Sequence, residues 1–255
     1  MNNTSQTILM VLALLFVSSC GTESPAQAAQ SLFEDFNDDM QPATLEMVLP
    51  TSTSETPIFL NGQAIFPGAD LAFSRSYLRT VANDYSTVDF IAEITVSGGV
   101  QNAFFGLGIG DSDATNSFGA EPRANPHIYL LMDKDSPTNN GLIDDNGQVR
   151  VNTSGIAGAG THRVRLTWNA QIQQAQFLVD RNFDGISFIP DFVSQTIDGS
   201  DNGFTNGSAS IFFGGSTGVE FDDLTVTPVP EPSTWVLATI AVFFGFYRLP
   251  RCRKA

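Results

Sequence analysis

Cysteine and positive charge are both scarce in this chain. The only two cysteines, Cys20 and Cys252, lie near the two ends, so the long stretch between them has no thiol, disulfide or cysteine metal site. There are 12 basic residues against 27 acidic ones, which gives a formal charge of −15. A nucleic-acid surface must neutralise phosphates, and no basic cluster occurs before the last eight residues. The composition therefore excludes nucleic acid as a partner.

The amino end carries an apolar run typical of an export signal. Ile8 to Val17 is ten residues long, too short to span a bilayer but the usual length of a signal-peptide core. Two processing sites compete. Ala26-Gln27-Ala28 fits the small-x-small rule of ordinary signal peptidase and predicts a signal peptide at 1–28. Val17-Ser18-Ser19-Cys20 resembles the lipobox of bacterial lipoproteins, in which Cys20 would be lipidated.

The carboxyl end has three features in a fixed order. The motif Val229-Pro230-Glu231-Pro232-Ser233 comes first. Its prolines favour an extended, accessible segment. An apolar stretch follows and predicts a transmembrane helix at about 233–248, which is marginal in length on its own. Basic residues end the chain and would hold it in the cytoplasm by the positive-inside rule. These are Arg248, Arg251, Arg253 and Lys254.

This tail, 229–255, resembles the PEP-CTERM sorting signal of Gram-negative and environmental bacteria. The resemblance implies an exosortase as partner, which would cut near the Pro-Glu-Pro triplet. It also implies that the protein is exported, transiently anchored in the membrane, and then passed to the cell surface or extracellular matrix. The alternative is a plain tail anchor without processing.

Between the two ends, residues 29–228 alternate apolar and polar side chains with a period of two. Asp89 to Val96, Ala103 to Ile109 and His162 to Trp168 each place their apolar residues on one face. Turn pairs such as Asn61-Gly62 separate the runs. Short strands joined by such turns predict one all-β domain, a sandwich rather than a parallel α/β fold.

The order and spacing of the strands resemble the concanavalin A-like, laminin G-like jelly roll. The resemblance rests on Leu32 to Asn37 at the start, on His162 to Trp168 followed by Phe177 to Asp180, and on Gly218 to Val226 at the close. It implies that the first and last strands pair. Carbohydrate is the ligand class that it implies, and exposed aromatics such as Tyr77, Tyr85 and Tyr129 are candidates for stacking on sugars, with packing as the alternative.

No complete catalytic constellation is present. Glu220 and Asp222 are two apart on one strand face, as a glycan hydrolase requires, with Asp223 expected on the opposite face, but the expected third acidic residue is missing. The sequence of Gly214 to Gly218 matches the pattern of a nucleophile elbow, which requires a helix after it. The following segment is instead a strand, which favours a glycine-rich hairpin. His127 and His162 lack the spacing of a zinc site and are expected to be half-buried strand residues.

One acidic loop matches the spacing of a calcium loop. Asp180, Asn182 and Asp184 fall at its first, third and fifth positions, Gly185 at the sixth, and Asp191 at the twelfth. Against this interpretation, the flank reads as a strand and not as a helix. The competing prediction is a β-hairpin turn in which Asp184-Gly185 supplies the positive φ angles.

Taken together, the sequence predicts an exported binding or structural protein of the bacterial surface, associated with polysaccharide and without catalytic activity. Signal peptidase and exosortase are its expected processing partners, and Ca²⁺ is its one candidate cofactor. The alternatives are a laminarinase-like glycan hydrolase and a purely structural biofilm component.

Overall fold

The computed structural model describes residues 31–49, 54–68, 76–100, 103–111, 127–133, 141–145, 148–153, 160–200 and 209–229. Within these ranges the chain forms strands in two antiparallel sheets, with a 3-10 turn at Tyr85–Thr87. The predicted signal peptide at 1–28, Cys20, and the sorting tail beyond Val229 lie outside the described residues. No helix in the described part is long and apolar enough to cross a bilayer.

The larger sheet has nine strands. They run in the order β13-β12-β11-β6-β16-β4-β3, with β1 beside β16 and β14 beside β12. The strands are β1 (Leu32–Glu34), β3 (Ile58–Leu60), β4 (Gln63–Phe66), β6 (Phe90–Gly98), β11 (His162–Asn169), β12 (Gln174–Asp180), β13 (Phe192–Val193), β14 (Ile197–Asp198) and β16 (Val219–Pro228).

The second sheet has seven strands in the order β10-β9-β8-β7-β15-β5-β2. The strands are β2 (Leu45–Val48), β5 (Ser76–Thr80), β7 (Phe104–Asp111), β8 (His127–Asp133), β9 (Gly141–Asp145), β10 (Gln148–Thr153) and β15 (Ala209–Gly215). Together the two sheets confirm the predicted all-β sandwich.

The main core lies between the sheets, where the alternating side chains meet. On β6, Phe90, Ala92, Ile94 and Val96 all have 0% exposure, and the residues between them face outward. The same alternation holds on β11 and β12, as their period predicted. Burial of one face therefore fixes the register of these strands, because a slip by one residue would turn the core side chains outward.

Two strand pairings agree with what the resemblance to the jelly roll implies. The first and last strands of the body pair, with Leu32 opposite Val226. The predicted hairpin of β11 and β12 runs from Arg163 opposite Asp180 to Asn169 opposite Gln174. The Asn61-Gly62 turn between β3 and β4 also has both residues at positive φ, as predicted for a two-residue hairpin.

The glycine-rich segment Gly214 to Gly218 is not the hairpin that its letters predicted. Its first flanking strand, β15, belongs to the seven-stranded sheet, and its second, β16, belongs to the nine-stranded sheet. Thr217 and Gly218 take positive φ angles of 49° and 82° in this crossing. The segment therefore carries the chain from one layer to the other, which local turn chemistry does not distinguish from a hairpin.

A β-bulge in β16 overturns the expected placement of Asp223. The register against β6 shifts between Asp222 and Thr225, and Asp223 has a φ of 50°. Phe221 and Leu224 are both fully buried although they are three residues apart, so Asp222 and Asp223 are both left half-exposed on the outer side. The extra residue reverses the inward-outward alternation of the strand.

Candidate functional site

The outer face of the nine-stranded sheet carries a charged network at its centre. Arg163 on β11 donates from Nε and Nη2 to a carboxylate oxygen of Glu93 on β6, both at 3.1 Å, and from Nη1 to Thr95 at 2.8 Å. Arg165 donates to the other carboxylate oxygen of Glu93. One carboxylate thus holds two guanidinium groups in place across neighbouring strands.

The loop from Arg181 to Asp191 folds over this network. The Phe183 ring lies 5.4 Å from the Arg163 guanidinium, and the Phe188 ring lies 4.0 Å from that of Arg165. Both distances fall within the range of a cation-π contact. The loop leads into β13, which pairs antiparallel with β12.

The chain reversal at this loop is antiparallel, but it is not the tight turn that the sequence predicted. It extends from the end of β12 to Phe192, and Gly185 has a φ of 82° whereas Asp184 is not at positive φ. Asp184 instead caps the backbone: its Oδ1 accepts hydrogen bonds from the N–H groups of Ile186 and Ser187 at 2.9 and 3.1 Å. These bonds lower the pKa of the Asp184 carboxyl.

Two other predicted calcium ligands, Asp180 and Asp191, also have protein partners. Asp180, which is 7% exposed, accepts from the backbone N–H of Ile189 at 2.8 Å and from that of Asn182 at 3.4 Å. Asp191 forms an ion pair with Arg181 at 2.6 Å. No group of three or more acidic, histidine or cysteine side chains in the described ranges is placed to hold a metal ion. Calcium at this loop stays a prediction.

The candidate carboxylate pair lies on the same outer face. Glu220 accepts a hydrogen bond from the Ser97 hydroxyl at 3.2 Å. Asp222 accepts from the backbone N–H of Asp223 at 2.7 Å, and burial raises the pKa of the Asp222 carboxyl. Both carboxylates of the pair therefore accept a hydrogen bond, and the pKa of Asp222 is the one that burial raises.

The two histidines are strand residues, as expected, but they are more buried than the sequence indicated. His162 has 0% exposure, its Nδ1 lies 2.6 Å from the carbonyl oxygen of Arg181, and its ring stacks on Phe105 at 5.8 Å. His127 is 8% exposed and stacks on Tyr129 at 5.2 Å. His162 thus packs between the sheets, whereas His127 packs beside Tyr129 on the outer face of the seven-stranded sheet.

The three tyrosines considered as sugar platforms are buried, which confirms the packing alternative. Tyr85 lies in the main core against Phe90, with ring centroids 5.6 Å apart. Tyr77 and Tyr129 form a second apolar cluster on the outer face of the seven-stranded sheet, together with Leu131. Burial raises the pKa of Tyr77 to about 12. These rings are not open to stack on a ligand.

Glycine explains how that second cluster sits so close to the sheet. A Cβ atom at Gly108 would lie 2.5 Å from the Tyr129 Cβ and 2.8 Å from the Phe212 ring. The central strand β7 thus has bare backbone where two aromatic side chains cross it.

A cleft of about 320 Å³ lies on the nine-stranded sheet beside Val229, the last residue that the structure describes. We call it the Thr196 cleft. Its lining includes Asp89, Ile91, Thr167, Gln174, Gln176 and Thr196, together with Trp168 and Val229.

The floor of the Thr196 cleft is one row of outward side chains. Thr167 on β11 lies between Ile91 on β6 and Gln176 on β12. The wall comes from the segment between β13 and β14, because Gln176 donates to the carbonyl of Ser194 at 3.0 Å and so holds that segment in place. The backbone N–H of Val229 donates to the carbonyl of Asp89 at 2.8 Å.

The sequence did not single out this cleft. Its side chains come from segments more than 100 positions apart, and Asp89 and Thr196 lie in connections with no motif of their own. The one available signal was the polar character of Thr167 and Gln176 within strongly alternating strands, which marks an outward face but not a concave one.

No sequence family matches this chain, and no functionally characterised protein matches it in sequence. Its architecture is nevertheless that of known proteins: the two antiparallel sheets form a concanavalin A-like jelly roll, and its structural neighbours include legume lectins.

Three of these lectins show the extent of the likeness. The acidic lectin of winged bean, complexed with methyl-α-D-galactose, is 10% identical with a TM-score of 0.53 over 78% of this chain and 98% of the lectin. The lectin of Bauhinia forficata in complex with GalNAc is 13% identical with a TM-score of 0.53 over the same shares. Peanut lectin with a nine-residue peptide is 10% identical with a TM-score of 0.52 over 80% of this chain and all of the lectin.

Proposed function

We propose that this protein is an exported, surface-sorted carbohydrate-binding protein that acts without catalysis. The observation that carries the proposal is the fold: the sandwich follows nearly the whole length of lectins whose structures hold methyl-α-D-galactose or GalNAc. The neighbours are too distant in sequence to supply a sugar or a site. The proposal therefore takes only the ligand class from them.

The two ends of the chain support the exported part of the proposal. The apolar run Ile8 to Val17 is typical of a signal peptide, and the Pro-Glu-Pro motif, apolar stretch and basic end follow the order of a sorting tail. Signal peptidase and an exosortase are the partners that this arrangement requires. The acidic charge of −15 suits a soluble body on the outer surface.

Binding of the purified full chain to a panel of immobilised neutral polysaccharides tests the proposal. We expect retention on at least one polysaccharide, with no reducing sugar released on long incubation. The matched control is the same chain after thermal unfolding, which should not be retained. Absence of retention on the whole panel would contradict the proposal and leave a purely structural role.

A glycan hydrolase is the second candidate, favoured by one observation. Glu220 and Asp222 share the outer face of β16, and the raised pKa of Asp222 is what a general acid needs. Release of reducing sugar by the wild-type chain, and its loss in Glu220→Gln, would establish this function and contradict the non-catalytic proposal.

A further inference from the structure

We infer that the Thr196 cleft is the place where a neutral sugar binds, an inference that rests on the proposed carbohydrate-binding function. The argument starts from hydrogen-bonding capacity. The side chains of Gln174 and Thr196 make no hydrogen bond to other described residues, although both line the cleft. An amide and a hydroxyl that both donate and accept are suited to the hydroxyl groups of a sugar.

Two further side chains stabilise the fold with one polar atom and keep another for a ligand. Asp89 uses Oδ1 to accept from the backbone N–H of Ala170 at 2.7 Å, which leaves Oδ2. Gln176 uses Nε2 to donate to Ser194, which leaves its carbonyl oxygen. Their partners fix both side chains before a ligand arrives, so little conformational entropy is lost on binding.

The charge of the cleft selects a neutral ligand. Asp89 is the one charged residue in its described lining, and no lysine, arginine or histidine is among them. A phosphate or a polyanionic chain would meet a carboxylate without a compensating cation. A neutral polyhydroxyl compound can instead donate its hydroxyl hydrogens to that carboxylate.

The size and the floor of the cleft complete the match. About 320 Å³ is at the small end of ligand sites, so the cleft accommodates one or two sugar rings and leaves the rest of a chain in solvent. Ile91 and Val229 provide apolar contacts for the carbon-bound hydrogens of a ring, beside the polar groups of Thr167 and Gln176. Mixed apolar and polar lining of this kind is typical of small-molecule sites.

Trp168 adjoins the cleft from the core side: it is 3% exposed, and its indole N–H donates to the carbonyl of Ser86 at 3.2 Å. The chain has two tryptophans, Trp168 in the cleft lining and Trp235 in the tail. In a full-length Trp235→Phe chain, the remaining fluorescence therefore comes from Trp168 alone, a core side chain directly behind the cleft floor. We expect the retained polysaccharide, or free galactose, N-acetylgalactosamine, glucose or mannose, to shift this emission in a saturable manner.

The decisive variant is Thr196→Tyr, which places a ring in the cleft from an exposed position. We expect it to weaken binding at least about tenfold, and the double variant Gln174→Ala, Thr196→Ala to weaken it by about threefold to tenfold for each lost bond. The double variant removes groups that the fold does not use, so it keeps the test valid if the tyrosine disturbs folding. Ser187→Tyr, in the loop over Arg163 and Arg165, is the matched control and should bind normally.

The outcomes separate the site from the function. If wild-type chain is retained on a polysaccharide but Thr196→Tyr and the double variant are retained equally, with Trp168 emission unchanged, the sugar binds elsewhere and the inference is wrong. If wild-type chain is retained on nothing, the proposed function itself fails. Binding that both variants weaken, with a Trp168 response that Ser187→Tyr keeps, establishes the cleft as the site.

Discussion

The carboxyl groups of Asp222, on β16, and Asp184, in the loop from Arg181 to Asp191, have pKa values shifted in opposite directions. Burial raises the pKa of Asp222, and the negative charge of Asp223 acts in the same direction. Hydrogen bonds from the backbone of Ser187 and Ile186 lower the pKa of Asp184. The charged form of Asp222 therefore opposes folding, whereas that of Asp184 supports it.

We predict that Asp222→Asn stabilises the protein at pH 7. The folded state binds the Asp222 proton more tightly than the unfolded state does, so its ionisation costs stability at neutral pH, and this cost disappears as pH falls below the ordinary value of 3.8. The gain should be at most about 1 kcal/mol, because solvent screens a half-exposed carboxylate. Thermal unfolding at pH 7 and pH 3 measures it.

Asp184→Asn is the control with the opposite sign. Its lowered pKa means that the stabilisation is complete above 3.8 and is lost as pH falls through the folded-state value. The variant should melt below wild type at pH 7 and together with it near pH 2. Equal behaviour of the two variants would show that these pKa shifts do not govern stability.

At the scale of single elements, the loop from Arg181 to Asp191 is held by carboxylates. We predict that Asp180→Ala lowers the free energy of unfolding by about 1–2 kcal/mol, since it leaves the Ile189 N–H without its acceptor at a largely buried site. Asp191→Ala removes an exposed ion pair with Arg181 and should cost less than about 1 kcal/mol. Equal losses would contradict this ranking.

Wild type and the Asp180→Ala variant also test whether the loop binds calcium. An ion bound only by the folded state stabilises it by about 2.7 kcal/mol at a hundredfold excess over Kd. If the loop is a calcium site, millimolar calcium raises the Tm of wild type and this increase is absent in Asp180→Ala. A Tm that calcium does not move would show that the hydrogen bonds of the loop suffice without metal.

The bulge in β16 leads to a second prediction about the stability of a single element. Asp223→Val should destabilise the protein by about 1–3 kcal/mol, because a β-branched residue is strained at a φ of 50°. Thr225→Val, two residues along the same strand, is not at positive φ and should be nearly neutral. Denaturant unfolding of the pair measures the difference. A tolerated valine at 223 would mean that the bulge moves or disappears.

The sequence predicted those parts of the fold whose information is local. The period of two in β6 and β11 identified strands and core faces, and Asn61-Gly62 identified a turn, because side-chain burial and φ preference act within a few residues. The bulge at Asp223 and the crossing at Gly214 to Gly218 depend on which strand lies alongside, which no local pattern contains. The Thr196 cleft is beyond prediction for the same reason.

At the scale of the whole molecule, processing of the tail is the main prediction. In a host with an exosortase, mass spectrometry of the surface fraction should find a mature carboxyl terminus between Pro228 and Ser233. Replacing Pro230, Glu231 and Pro232 with alanine should leave the chain uncut and in the membrane. Recovery of wild-type chain intact through Ala255 in that host would contradict the sorting proposal.

The amino end makes a separate prediction. Cleavage after Ala28 yields a soluble start, whereas lipidation of Cys20 adds acyl chains and requires detergent for extraction. Cys20→Ala distinguishes the two: normal maturation and localisation of this variant assigns the site to ordinary signal peptidase, and accumulation of an unprocessed precursor assigns it to the lipoprotein route.

The pairing of β1 with β16 determines how the body responds to mechanical load. Leu32 and Val226 are neighbours, so the chain enters and leaves at the same end of one antiparallel pair. A force between the two ends opens the three residue pairs of β1 one after another, as a zipper opens, instead of shearing them together. In the described part of the chain β1 pairs with β16 alone, so its detachment leaves the other strand pairings of both sheets intact. A body tethered at both ends would thus yield three residues of slack before its sandwich bears the load.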